Sequence, residues 1–145
     1  GTTRYASGNV YIGMWKSGKR HGFGVFHIEK SGDIYRGNWS CGIKSGPGVY
    51  EYADGEIDVS FYSNDIRVGD GVRWSADRSH ASRLLDGKLT GNEGELPVED
   101  AMRLTKKVRR LLFAFILISL LSSLLKLLIF FYFLVTIPIQ LGFVV

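Results

Sequence analysis

Aromatic, glycine and aromatic residues at i, i+2 and i+4, with a Gly-x-Gly following seven residues after the second aromatic, occur twice in this chain. The first copy is Tyr11, Gly13, Trp15, Gly22 and Gly24; the second is Tyr35, Gly37, Trp39, Gly46 and Gly48. Residues two apart share one face of a strand, so each copy predicts a strand with an aromatic row on one side and a return strand opened by the Gly-x-Gly. A weaker third copy follows when Tyr62 stands for the tryptophan, because Gly69 and Gly71 then fall at the same offsets. Asp58 and Ser60 hold the places of the tyrosine and first glycine, as expected of an end unit with no further neighbour to pack against.

Each unit reads as a β-hairpin. The return strands are Val25-Phe-His-Ile and Val49-Tyr-Glu-Tyr, and further turns are marked by Ser31-Gly32 and Asp54-Gly55. A large aromatic side chain buries roughly 150–250 Å², worth at most about 4–6 kcal/mol at about 25 cal/mol per Å². A thin antiparallel ribbon has no other source of burial, so Tyr11, Trp15, Tyr35, Trp39 and Tyr62 are expected to form its spine rather than to line a ligand groove.

At these positions the chain resembles the MORN (membrane occupation and recognition nexus) repeat family. The segment from Gly71 through Trp74, Ala81, Leu84 and Asp86-Gly87 is similar to the closing piece of MORN arrays in photosynthetic protists. The resemblance implies a mainly β fold, an antiparallel hairpin-repeat ribbon. Because the chain starts at Gly1 and its first residues read as the end of a unit, further repeats upstream are expected.

The C-terminal half is of another kind. From Leu111 to Ile137 the only charge is Lys126, and the run continues through Pro138 without another. About 20 apolar residues in a helix span the hydrocarbon of a bilayer, so residues 111–137 are expected to form a transmembrane α-helix, with 138–145 a short apolar tail. The overall +4 charge is misleading, since residues 1–102 hold 12 basic and 14 acidic residues. The excess lies in Arg103, Lys106, Lys107, Arg109 and Arg110, directly before the apolar run. By the positive-inside rule this predicts a single-pass protein with its repeats on the cytosolic side, and it argues for a membrane flank and against nucleic acid.

Residues 1–74 are thus assigned to the repeat array, 75–96 to a connector with a short helix around Ser79 to Leu85, and 97–110 to a basic amphipathic helix opened by Pro97. In that helix Ala101, Leu104, Val108 and Leu111 recur at helical spacing, and Glu99 and Asp100 sit near its start. No catalytic or metal constellation is present: His21, His27 and His80 lack ligand spacing, and Cys41 is the only cysteine. Gly22-Phe-Gly24 and Gly69-Asp-Gly71 open strands, whereas a phosphate loop opens a helix.

The expectation is a non-enzymatic, membrane-anchored scaffold or tether. It needs no cofactor, metal or small-molecule substrate, and Lys16, Lys19, Arg20, Arg36 and Lys44 would face a protein partner or acidic lipid. Repeats followed by a C-terminal membrane segment resemble junctophilins, although the spacer here is short. MORN families also bind phosphoinositides or protein helices, and they target lipid-kinase and methyltransferase enzymes. The alternatives are therefore a fragment of such an enzyme, or a soluble MORN module to which the apolar tail is foreign.

Overall fold

The computed structural model describes residues 1–90 and 95–140, apart from the side chains of 123, 126 and 129–140. Strands β1 (Thr2–Arg4), β2 (Val10–Lys16), β3 (Lys19–His27), β4 (Ile34–Ser40), β5 (Ile43–Glu51), β6 (Ile57–Ser63), β7 (Ile66–Trp74), β8 (Ala81–Leu85) and β9 (Lys88–Leu89) precede one helix, α1 (Val98–Gln140). The nine strands form a single antiparallel sheet in chain order, so every strand pairs with its sequence neighbour.

Three hairpins, β2/β3, β4/β5 and β6/β7, repeat the same backbone device. Each turns through two residues at positive φ: Ser17 and Gly18, Cys41 and Gly42, Asn64 and Asp65. That is the primed turn whose twist matches the flanking strands. The register shifts by a bulge between Gly13 and Trp15, between Gly37 and Trp39, and between Val59 and Phe61. The third hairpin keeps the bulge although its tyrosine and glycine are gone. The return strands begin at Lys19, Ile43 and Ile66, ahead of the Gly-x-Gly that was expected to open them. A two-residue turn leaves no slack, so pairing starts immediately after it. Gly46, at φ 84°, lies inside a strand opposite the bulge.

Neighbouring hairpins are tied by the same contacts one repeat apart. Glu29 N–H donates to Asn9 Oδ1 and Ala53 N–H to Asp33 Oδ1, each at 3.0 Å. On the other edge, Gly42 N–H donates to the Arg20 carbonyl at 2.9 Å and Asp65 N–H to that of Lys44 at 3.2 Å.

Beyond Trp74 the sheet continues. The segment expected as a short helix around Ser79 to Leu85 is strand β8, paired with β7 through Trp74↔Ala81 to Asp70↔Leu85. Ala81 is buried toward α1 and Leu84 on the opposite side. Local spacing suggested a helix, but an unpaired β7 edge and apolar contacts on both faces favour a strand.

The two faces of the sheet differ. One carries the aromatic cluster of Tyr11, Tyr35, Trp39 and Tyr62, with Tyr5, Phe26 and Tyr50 against it. The other packs Ile57, Val59, Val72, Trp74 and Ala81 against Ala101 and Val108 of α1. Trp74 Nε1 donates to Thr105 Oγ1 at 3.0 Å, pinning the helix where it crosses the sheet. From β8 the helix runs over β7, β6, β5 and β4 to β3.

This path corrects the reading of the C-terminus. The segments 97–110 and 111–137 form one continuous helix, and among the described residues no helix is long and apolar enough to cross a membrane. Residues 111–122, assigned to the start of a span, lie over the sheet instead. Phe115, Ile118, Ser119 and Ser122 close over His21, Asn38 and Trp39, and Ser119 Oγ approaches Met14 Sδ at 3.2 Å. The charge-based orientation assumed a span beginning at Leu111, where the helix instead lies over the sheet. The Lys126 side chain and residues 141–145 of the expected tail lie outside the described residues.

Candidate binding face

The aromatic face is built from rings that lie flat on glycines. A Cβ added at Gly37 or Gly48 would meet the Tyr35 ring at under 3.0 Å, and one at Gly13 or Gly24 would meet that of Tyr11. The phenols reach across to the bulge, Tyr11 Oη donating to the Met14 carbonyl at 2.9 Å and Tyr35 Oη to that of Asn38 at 3.1 Å. Each tyrosine then meets the tryptophan of its own repeat edge-on, with centroids 5.2 Å apart for Tyr11–Trp15 and 5.3 Å for Tyr35–Trp39. Trp39 also touches Tyr11 and Phe26, and Tyr35 touches Tyr62, so the rings form one continuous row. Trp15, at the end of the row, remains 38% exposed while Trp39 is 3% exposed. The difference is one of neighbours: Trp39 is flanked by a repeat on each side.

A cation from each return strand lies on this row. Arg20 is 4.0 Å from the Trp39 ring centroid and 5.1 Å from that of Phe26. Lys44 Nζ is 4.7 Å from Tyr35 and 5.1 Å from Tyr50. Arg67 is 5.1 Å from Tyr50 and 5.8 Å from Tyr62. Ring quadrupoles hold such cations when they are partly desolvated. Burial nevertheless lowers the Lys44 pKa, with Arg67 and Arg20 adding repulsion against the opposing pull of Asp65.

At the far end Asp58, fully buried where earlier repeats have tyrosine, takes Arg73 by two hydrogen bonds of 2.7 and 2.9 Å and Arg67 at 3.1 Å. The Tyr52 hydroxyl donates to the same carboxylate at 2.8 Å. One buried anion is thus shared by two guanidinium groups. An open groove of about 470 Å³ follows, lined by Lys44, Tyr50, Tyr52, Tyr62, Arg67 and Lys88 among others. Within it the buried Tyr62 hydroxyl and the Arg67 guanidinium lie against each other. A second groove of about 390 Å³ lies beside Tyr5, Trp15, Lys19, Arg20 and Phe26. Burial pushes the Tyr11 and Tyr62 phenols up to about 12 and raises those of Tyr35 and Tyr50 as well.

Residues 11–31 and 35–57 match the MORN repeat model. The two matched segments are the β2/β3 and β4/β5 hairpins with the turns that follow them. No curated protein matches the chain.

Of the cations expected to meet a partner, Arg20 and Lys44 lie on the aromatic face of the two matched hairpins. Lys16 and Lys19 pair across the tip of the first hairpin, both exposed. Arg36 points to the opposite face and is bound to Glu51 at 2.5 Å. Arg103, Lys106, Lys107, Arg109 and Arg110 are all on exposed turns of α1, away from the grooves. Arg67 was missed, although it had a signal: Arg20, Lys44 and Arg67 each fall five residues after the ring of their unit, Trp15, Trp39 and Tyr62. Asp58, Tyr52 and Arg73 had none, because their network forms only when β5, β6 and β7 are side by side. Among the described residues no group of His, Cys, Asp and Glu could hold a metal ion.

Proposed function

We propose that the chain is a non-catalytic MORN-repeat scaffold whose aromatic face receives an acidic segment of a protein partner. MORN repeats are generally binding modules, which fits a chain of this kind. The observation that carries the reading is the line of Arg20, Lys44 and Arg67, one per hairpin at one repeat position, on the face that α1 leaves uncovered. Two guanidinium groups share one carboxylate there, which leaves an excess of positive charge on this face. A carboxylate of the partner would offset that excess, and flat rings beside it would bury the partner's apolar side chains.

The test is the binding of labelled acidic peptides against the same peptides with Asp and Glu replaced by Asn and Gln. The acidic set should bind more tightly, weaken as salt rises, and lose at least about tenfold in affinity to the Arg20→Gln, Lys44→Gln double variant. Equal binding of both peptide sets would overturn the reading. So would vesicles of phosphatidylserine competing fully with the peptides, since the face would then belong to lipid.

A further inference from the structure

The helix is dressed the wrong way round for water. Over its first turns the sheet-facing residues are apolar, as usual, with Ala101 and Val108 buried. Past Leu112 the sheet-facing side becomes mixed. Ser119 and Ser122, beside Phe115 and Ile118, face a polar patch of the sheet that includes His21, Asn38, Ser40 and Ser45. The outward face there presents Phe113, Leu117, Leu121, Leu124 and Leu128, each between 47% and 66% exposed. Soluble proteins seldom leave a continuous apolar surface of this length uncovered. One to four turns earlier stand Arg103 and Arg110, with Lys106 and Lys107 on the flanks where they line cavities against the sheet, all four exposed. Their only ion pair among the described residues is a 3.5 Å contact between Arg103 and Asp100.

We infer that the outward face of α1 is a docking surface for an anionic phospholipid bilayer, with the helix lying in the interface and the sheet carried above it. The occupant follows from the order of side chains. A protein partner covering the leucines would not account for a cluster of cations with one ion pair among them just before the leucines, whereas anionic headgroups meet the cations and the acyl boundary takes the leucines. The sheet lies beneath the face bearing Ser119, so the outward side is the one left free for lipid. An in-plane position also leaves the aromatic face, on the far side of the sheet, open to solvent. The inference is independent of what that face binds.

The experiment uses the full chain with Cys41→Ser and one nitroxide label at a time, on Phe113→Cys, Leu117→Cys, Leu121→Cys or Leu128→Cys, mixed with phosphatidylcholine vesicles with or without phosphatidylserine. In vesicles containing phosphatidylserine, all four labels should sit at one shallow depth, about 5–10 Å below the headgroup boundary. Depth that increases by about 1.5 Å per residue from 113 to 128 would mean a span and overturn the in-plane arrangement. Labels that stay in water, or that contact each other in a vesicle-free dimer, would overturn the lipid surface itself. Replacing Arg103, Lys106, Lys107 and Arg110 by Gln should weaken binding to the anionic vesicles roughly fivefold per cation and leave peptide binding on the aromatic face unchanged. Equal affinity of parent and variant for anionic and neutral vesicles would remove the charge argument and with it the choice of occupant.

Discussion

At the scale of single residues, two kinds of position hold the ribbon together. The first is the glycine under a ring. Gly37 and Gly48 are both covered by Tyr35, and neither ring nor opposite backbone has room to withdraw. Gly37→Ala should therefore destabilise the chain by about 1–3 kcal/mol, read as a lower urea midpoint at unchanged slope. The second is Asp58, which neutralises Arg67 and Arg73 where no water reaches its carboxylate. Asp58→Asn keeps the shape but strands the guanidinium groups. The expected loss is about 3 kcal/mol, the low end for a broken buried pair because both arginines keep some exposure. Buried phenols add a pH limit. The Tyr11 and Tyr62 pKa values are raised in the folded state to about 12, so the folded chain holds these protons more tightly than the unfolded one. Their contribution is complete below the unfolded value of about 10 and is lost as pH rises toward 12. Unfolding followed by circular dichroism should show the midpoint falling in that window, and a flat midpoint across it would mean the phenols are solvated.

At the scale of elements, the repeat is a hairpin plus a bulge, and its side chains serve the next hairpin as much as their own. Trp39 shows this: its ring touches Tyr11, Phe26 and Tyr35, and Arg20 of the preceding repeat lies on it. Trp39→Ala should cost about 3–5 kcal/mol in chemical denaturation. Trp15→Ala should cost visibly less, because Trp15 is exposed at the end of the row. The expected β-hairpins were legible because they depend on local spacing, namely rings and glycines two residues apart. The start of the return strands was not, since Ser17-Gly18 marks a turn but not its length, and only the pairing of the strands holds Ser17 and Cys41 at positive φ in a two-residue turn. Strand β8 was misread for a related reason. Its short run of mixed residues has no periodicity strong enough to overrule the open edge of β7.

For the whole molecule, the sheet and α1 are one unit. Ile57, Val59, Val72 and Trp74 pack against Ala101, Leu104 and Val108 of the helix. A chain ending at Leu96 should therefore keep its strand signal but bind a hydrophobic dye and lose a sharp thermal transition. A cooperative melt matching that of the full chain would mean that the ribbon is self-sufficient. The arrangement separates two surfaces on opposite sides of a single sheet, the ring-and-cation row and the helix.

What the sequence by itself determined is the repeat: aromatic rings at strand spacing, glycines where the rings must lie, and hence an antiparallel ribbon with a buried aromatic spine. These follow from contacts between residues close in the chain. The apolar character of the C-terminal helix was legible too, but not where it goes. Composition alone points residues 111–137 at a membrane, and only the tertiary structure lays Ser119 and Ser122 on the sheet and turns the leucines outward. The same holds for Arg36, drawn to Glu51 on the opposite face, and for Asp58, a degenerate letter in the repeat that becomes the anchor of two arginines. In each case the deciding partner lies on another strand or on the helix, and a side chain's direction relative to such a partner is not encoded in local spacing.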